Sequence, residues 1–391
     1  MKDSTRTFSD QIFERGIEKI YPSRAELDQF LGMGNKLKIY FGIDPTGPTL
    51  HIGHGSVILQ LKKLQQAGHE IIILFGDFTA MIGDPTDKVS TRKKLSPEEV
   101  KVNYASYREQ IGRILDLNKV SFRLNSEWLA PLGFAEVLKL ASEFTLGQIV
   151  ERDMFQDRIK KDEPIYLHEF LYPVMQGYDA VAMGVNAEIG GNDQTFNMNT
   201  GRTMLKKRGK DKFVITTKLL VDPTGKKMGK SEGNMVALSD DPKDMYGKVM
   251  SWPDSLMLLA FEICTDVSAV EVAEILASNP RDAKMRLAKE IVSIFASPEE
   301  AKKAEADFIL KFQDKEVPDD IPKIEATKNM LLRDVLVAAE AVSSNSDFRR
   351  LVEGGGITIL PDQKVKNLEQ VITEPLTVKV GKKKFFKITL N

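Results

Sequence analysis

Between Leu37 and Phe75 the chain reads as strand, glycine-rich turn, helix and strand again, and this order restricts the fold more than any other feature. Leu37 to Ile43 is rich in Ile, Tyr and Phe, as a buried strand is. A Pro/Gly/Thr turn follows, and the spacing predicts an amphipathic helix over 56–67 with Gly68 as its C-terminal stop. Ile71 to Phe75 then reads as a second buried strand. Two strands joined through one helix form a βαβ unit, which requires parallel pairing and a right-handed crossover. The chain is therefore expected to build an α/β, Rossmann-like sheet, with ligands at the carboxyl ends of its strands.

The turn carries His51-Ile52-Gly53-His54. A strand-to-helix turn of this kind exposes backbone N–H groups at a positive helix end, where phosphate can sit. The chain has four histidines, and two of them stand three residues apart here. Paired imidazoles can donate hydrogen bonds to a triphosphate whose charge grows as it is displaced. Metal binding is the competing reading, but no carboxylate or third ligand lies at ligand spacing, so no metal site is assigned.

Two more stretches belong with this turn. In LHEFLYPVMQGYDAVAMGV, Tyr172, Gln176 and Asp179 fall at i, i+4 and i+7, which sets a phenol, an amide and a carboxylate on one helix face. NAEIGGNDQTF is a strand ending at Gly190-Gly191 that passes into a helix after Asp193-Gln194, and its glycines would admit a sugar or purine close to the backbone. Further on, FVITTKLLVDPTGKKMGKSEGN is a strand followed by a Gly/Lys loop. Its Lys227, Lys230 and Ser231 suit a phosphate clamp, since lysine binds phosphate as a point charge.

The remaining segments frame these motifs. Residues 1–36 read as helical and polar, with a capping box at Ser23–Glu26. After the second strand, Asp77, Asp84, Lys88 and Arg92 lie at a carboxyl end of the expected sheet. Ser96-Pro-Glu-Glu99 starts a helix to about Leu115, and Val120 to Leu124 is a strand. Residues 126–165 read as a helical insertion, 242–315 as amphipathic helices, and the Pro- and acid-rich stretch 317–326 as a linker. The expected division is a catalytic domain over 1–225, the lysine loop with a helical domain over 226–320, a linker at 321–330, and a small α+β domain over 331–391. That last segment holds ten Lys or Arg against seven Asp or Glu in a chain of net charge −1. Arg349-Arg350 and the run Lys382, Lys383, Lys384 point to contact with a phosphate backbone.

Composition excludes several classes. One cysteine, Cys264, rules out a disulfide framework and a Cys-rich zinc site. No run of about 18 apolar residues and no signal-peptide pattern occurs, so no membrane association and a cytoplasmic location are expected.

Taken together, HIGH at 51–54, KMGKS at 227–231, GGNDQ at 190–194, YFGIDPT, IGDPT and the terminal segment resemble the bacterial-type tyrosyl-tRNA synthetases, class I enzymes with a C-terminal S4-like domain. Gly229 departs from the serine usual in the lysine loop. The resemblance implies a two-step reaction in which tyrosine and Mg-ATP give tyrosyl-adenylate and pyrophosphate, and the acyl group then passes to the 3′ end of tRNA(Tyr). It implies no tightly bound cofactor, and a homodimer. By motif position, His51, His54, Lys227 and Lys230 would contact the triphosphate, with Lys88 and Arg92 on a loop over the pyrophosphate. Asp44, Thr46, Gly53, Gly191, Asp193, Lys230 and Ser231 would hold ATP. Tyr172, Gln176 and Asp84, helped by Gln194, would take the substrate ammonium, and Tyr40 with Asp179 would meet the phenol hydroxyl. The rival readings are a tryptophanyl-tRNA synthetase, which would normally lack the basic tail, a small-molecule adenylyltransferase, which leaves the lysine loop unexplained, and an RNA-binding or splicing helper derived from a synthetase.

Overall fold

A computed structural model describes residues 12–84, 96–221, 235–314, 321–360, 363–381 and 384–390. The chain forms two compact units, Met1–Glu305 and Ala306–Asn391.

The first unit is built on a six-stranded sheet of β1 (Ile17–Tyr21), β2 (Lys38–Ile43), β3 (Glu70–Phe75), β4 (Val120–Leu124), β5 (Ala187–Gly191) and β6 (Phe213–Thr217). The order across it is β1-β6-β5-β2-β3-β4. All neighbours are parallel except β1, which closes the edge antiparallel to β6. The expected βαβ unit is β2–β3, in register from Lys38↔Glu70 to Ile43↔Phe75. From β2 the chain proceeds outward through β3 and β4, whereas β5 and β6 lie on the other side. The order therefore reverses between β2 and β5, and a crevice opens there beyond the strand ends. Central strands are apolar on both faces: Ile39, Tyr40, Ile71, Ile73, Leu74, Ala187, Ile189, Val214 and Ile215 are all buried.

Several segments differ from the sequence reading. The N-terminal region is not wholly helical, because β1 precedes the Arg24–Gly32 helix, which Ser23 caps by accepting from Glu26 N–H at 3.2 Å. The helix after the histidine turn begins at Ile52, four residues ahead of the expected start. His51 has extended backbone and accepts with its own side chain from the turn, so the motif lies inside the first helical turn. The helix opened by Ser96 spans Pro97–Gly112, with Ser96 and Glu99 capping each other reciprocally. Residues 126–165 hold four short helices between Ser126 and Lys160.

Helices Pro242–Met250, Met257–Cys264 and Pro280–Phe295 belong to the first unit, and Met257–Cys264 packs beside the Ile52–Gln66 helix. Phe295 lies against Gly55 so closely that a Cβ there would meet its ring at 2.7 Å. The Arg15 guanidinium donates to the carbonyls of Phe261, at 2.9 Å, and Val267. Residues 235–238 return to the histidine turn: Ile52 N–H donates to Val236 O at 2.9 Å, and Leu238 N–H to Leu50 O at 2.8 Å.

The second unit has a five-stranded sheet of β7 (Lys323–Ala326), β8 (Ile357–Ile359), β9 (Gln363–Lys364), β10 (Leu376–Val380) and β11 (Lys384–Leu390), ordered β7-β11-β10-β8-β9. Helices Leu332–Ala338 and Asn345–Glu353 cover it, with Leu332, Leu336, Phe348, Ile357, Val378 and Ile388 in the core. The expected linker at 321–330 is therefore corrected. Its Lys-Ile-Glu-Ala stretch alternates outward and inward, buries Ile324 and Ala326, and pairs parallel with β11.

Candidate active site

The site assembles where the sheet order reverses. Tyr40, on β2, stands in register with Ile72 on β3 and Glu188 on β5, so all three side chains leave the sheet on one face. The Tyr172–Met183 helix crosses that face with Tyr172, Gln176 and Asp179 directed inward; Tyr172 and Asp179 are buried, and Gln176 is half-buried.

Asp179 is the most constrained group. Its carboxylate accepts from the Trp128 indole at 2.7 Å and from the Asn125 amide at 3.5 Å. Both donors favour the ionised form, yet burial outweighs them and pushes the carboxyl up to about 8. The Tyr40 ring is fully buried near Asp179, and among the described residues its hydroxyl has no hydrogen-bond partner. Burial without a partner costs about 1–3 kcal/mol, which a ligand hydroxyl reaching both Tyr40 and Asp179 would recover. Burial and the neighbouring carboxylate hold the Tyr40 phenol well above its ordinary value, so it stays protonated and can donate.

A second group of contacts runs from Asp179 to the end of β2. Asn125 donates to Thr79 Oγ1 at 3.0 Å, and Thr79 donates to Asp44 Oδ1 at 2.7 Å. The other oxygen of Asp44 accepts from the Tyr172 hydroxyl at 2.8 Å. Gly76 makes this possible: a Cβ there would fall 2.0 Å from Asp44 Oδ1 and 2.3 Å from Thr79 Oγ1. Asp84 accepts from the Gln194 amide at 2.7 Å and lies 3.9 Å from the buried Arg152 guanidinium. Gln194 in turn accepts from Asn197 at 2.9 Å. One donor and the oxygen of its amide are thus engaged within the protein, which ties Gln194 to Asp84.

The histidine turn lies at the same end of the sheet. His51 Nδ1 accepts from Gly53 N–H at 3.1 Å, and His54 Nδ1 accepts from His51 N–H at 3.2 Å. With both Nδ1 atoms accepting, each neutral ring carries its proton on Nε2 and is a donor there. The rings lie 3.9 Å apart between centroids. Thr46 is exposed just beyond Asp44, and Gly191 ends β5 with no room for a side chain, since a Cβ would meet Asp193 Oδ1 at 2.5 Å. Among the described residues no group of His, Cys, Asp and Glu could hold a metal ion.

The structure therefore gathers Tyr40, Asp44, Asp84, Tyr172, Gln176, Asp179 and Gln194 into one contact network. Lys88, Arg92, Lys227, Lys230 and Ser231 lie outside the described residues, as do Lys382 and Lys383. In the second unit Arg349 and Arg350 are exposed on the Asn345–Glu353 helix, pairing with Glu353 at 3.5 Å and Asp347 at 2.5 Å, and Lys384 is exposed at the start of β11. Sequence reasoning missed Thr79, Asn125, Trp128, Arg152, Glu188 and Lys212. The first three lie near strand ends or in short helices where no periodicity marks them. Glu188 and Lys212 were legible only as charges beside otherwise apolar strands.

The raised carboxyl of Asp179 sets a pH dependence. Its ordinary value is 3.8 and its folded value about 8, so the folded chain binds the extra proton between those limits. Stability from this group is full below about pH 4 and declines as pH rises to about 8. Urea unfolding of the wild type and of Asp179→Asn across that range should show the variant gaining relative stability with rising pH. A difference independent of pH would contradict the raised value.

The comparisons with known proteins agree with this geometry. The model of the family described as tRNA synthetases class I (W and Y) matches residues 33–313. A tyrosine--tRNA ligase of Carboxydothermus hydrogenoformans is 43% identical over 398 residues, covering 97% of each chain. One from Haemophilus influenzae is 42% identical, covering 97% of this chain and 96% of its own. Among solved structures, a C-terminally truncated mitochondrial tyrosyl-tRNA synthetase of Coccidioides posadasii superposes with a TM-score of 0.63 at 25% identity, over 77% of this chain and 92% of its own. With a family model spanning most of its length and near-full-length relatives, the chain belongs to the class I aminoacyl-tRNA synthetases of the tryptophan and tyrosine group.

Proposed function

We propose that the chain is a tyrosine--tRNA ligase whose phenol-recognising groups are Tyr40 and Asp179. The observation that carries this reading is the buried Tyr40 hydroxyl, partnerless among the described residues, beside a buried carboxylate. A phenol hydroxyl bonds to both; phenylalanine would leave the Tyr40 hydroxyl unpaired and add no donor to Asp179. For the same enzyme family the handicap of such a mismatch is about 10⁵-fold, a known magnitude and not one obtained from this geometry.

In the first step a tyrosine carboxylate oxygen attacks the α-phosphorus of ATP, supplied with Mg²⁺ as part of the substrate. The new O–P bond forms as the bond to the bridging oxygen breaks, and pyrophosphate leaves with that electron pair. In the second, a ribose hydroxyl at the 3′ end of tRNA attacks the acyl carbon, and AMP departs. Neither step needs a covalent enzyme intermediate, so the protein supplies orientation and charge stabilisation. The Nε2–H groups of His51 and His54 donate to the triphosphate, Lys88, Arg92, Lys227 and Lys230 offset its charge, and Asp44, Thr46, Gly53, Gly191, Asp193 and Ser231 hold the nucleotide. Tyr172, Gln176 and Asp84 take the substrate ammonium, with Gln194 orienting Asp84.

The 1–225, 226–320 and 331–391 segments serve as catalytic core, helical domain and S4-like RNA-binding domain, with β7 (Lys323–Ala326) added to the sheet of the last. Its exposed Arg349, Arg350 and Lys384, with Lys382 and Lys383, bind tRNA(Tyr) through phosphates. Among the described residues no helix is long and apolar enough to cross a membrane, and the reaction belongs in the cytoplasm. The molecule works as a homodimer. In support, Phe134, Leu138, Leu146, Ile159, Tyr166 and Leu167 are exposed within one short stretch of chain, the first and last at 78% and 79%.

Three experiments test this reading. Pyrophosphate exchange into ATP should depend on L-tyrosine, and exchange driven by tryptophan instead would overturn the substrate. Reversing charge with Arg349→Glu/Arg350→Glu should leave that exchange near wild type, lower kcat/KM for tRNA about tenfold at moderate salt and flatten its salt dependence; an unchanged salt slope would remove these arginines from the RNA contact. Sedimentation should give twice the chain mass, and Phe134→Glu/Leu167→Glu should halve it. A monomer in the wild type would rule the dimer out.

A further inference from the structure

Behind the pocket lies a buried ion pair that the reaction, as described, does not use. Lys212 and Glu188 are each 2% exposed, and the Lys212 ammonium is bonded to Glu188 Oε2. The register explains their meeting. Glu188 pairs with Tyr40 on one side and Val214 on the other, and Lys212 precedes Val214 by two residues, so all project from the same face. Space for the ammonium comes from a close helix crossing at Gly177 and Gly201: a Cβ on Gly201 would meet Lys212 Nζ at 2.8 Å and Gly177 Cα at 3.2 Å. The ammonium also lies 5.5 Å from the centroid of the Tyr40 ring. A buried pair of this kind gives little net stability compared with apolar replacements, so its presence calls for another account.

The second oxygen of Glu188 supplies one. Glu188 Oε1 accepts from Gln176 Nε2 at 3.2 Å. A carboxylate can only accept, so it fixes which way the Gln176 amide is turned: NH₂ toward Glu188, and the carbonyl oxygen away from it. Only that orientation offers an acceptor to an ammonium ion. The reverse orientation would present N–H groups to a cation. Lys212 donates to Glu188 Oε2, so Oε1 is the oxygen left to accept from Gln176.

We propose that Glu188, bonded to Lys212, is a positioning residue that locks the Gln176 amide with its oxygen toward the ammonium of the bound amino acid. The proposal rests on the reading of Gln176 as an ammonium acceptor. It predicts an effect confined to ligands that carry the ammonium, which a general loosening of the pocket would not produce.

The test uses the full-length protein and three ligands: L-tyrosine, tyramine, which keeps the ammonium and lacks the carboxylate, and 3-(4-hydroxyphenyl)propanoate, which lacks the ammonium. Glu188→Gln/Lys212→Met removes both charges at similar volume and lets the amide turn over. It should weaken L-tyrosine and tyramine about tenfold in direct binding, and leave the propanoate within about twofold. In exchange assays the loss should appear in KM for tyrosine more than in kcat. Equal weakening of all three ligands, or of none, would overturn the proposal. Should that variant fail to fold, Glu188→Asp withdraws the carboxylate from Gln176 by about 1.5 Å while leaving Lys212 a counter-charge, and the same pattern is expected. Gln176→Ala separates the two levels of the argument. If it binds tyramine as the wild type does, the ammonium role of Gln176 falls and the proposal with it. If it loses tyramine while the Glu188 variants keep it, the proposal alone falls.

Discussion

The rest of the site depends on β2 having a parallel neighbour on each side. β3 follows it through one crossover and β5 reaches its other edge after more than a hundred residues of intervening chain. Because the two crossovers leave in opposite directions, a crevice opens beyond the strand ends where a ligand can bind. Strand register then decides which side chains share that crevice. Tyr40, Ile72 and Glu188 are distant in sequence, yet one hydrogen-bonding ladder sets them side by side. Shifting β5 by one residue would turn Glu188 to the opposite face and bring a neighbouring apolar residue into its place.

That arrangement places an unusual share of polar chemistry in a dry interior. Asp179, Glu188, Lys212 and Asn197 are all buried, and Tyr40 and Tyr172 are buried with them. Each such group carries a desolvation cost that only well-placed partners offset. Trp128 and Asn125 do this for Asp179, Lys212 and Gln176 for Glu188, and Asp44 for Tyr172. The Tyr40 hydroxyl has no such partner among the described residues, and it lies where the phenol is proposed to be recognised. A core designed for stability alone would be apolar here.

Much of this was legible in the sequence because it is periodic or motif-bound. The β2–β3 unit, β4, the Tyr172–Met183 helix and the reciprocal cap at Ser96 follow from local pattern, and the structure contains them. The start of the Ile52–Gln66 helix was misread because glycine at 53 and 55 lowers helix propensity, whereas the cap formed by His51 and packing against Phe295 outweigh it. β1 and β7 are edge strands of five and four residues, too short for their alternation to stand out against charged neighbours. The supporting partners Thr79, Asn125 and Trp128 meet Asp44 and Asp179 only through tertiary folding, so no one-dimensional pattern marks them.

Gly76 has a consequence for anyone who would refit this enzyme to another amino acid. The end proposed for the phenol is bounded by side chains, Tyr40 and Asp179, the latter bonded to Trp128 and Asn125. At the seam between β3 and Asp44 there is no room for a side chain: with a Cβ placed 2.0 Å from a carboxylate oxygen, even alanine must displace the residue that anchors Tyr172. Directed evolution of substrate choice should therefore accumulate changes on one wall of the pocket and leave the opposite wall untouched, so that the accessible range of new substrates is one-sided. Under the proposed binding mode, such a search would reach amino acids that differ from tyrosine at the ring before those that differ near the α-carbon.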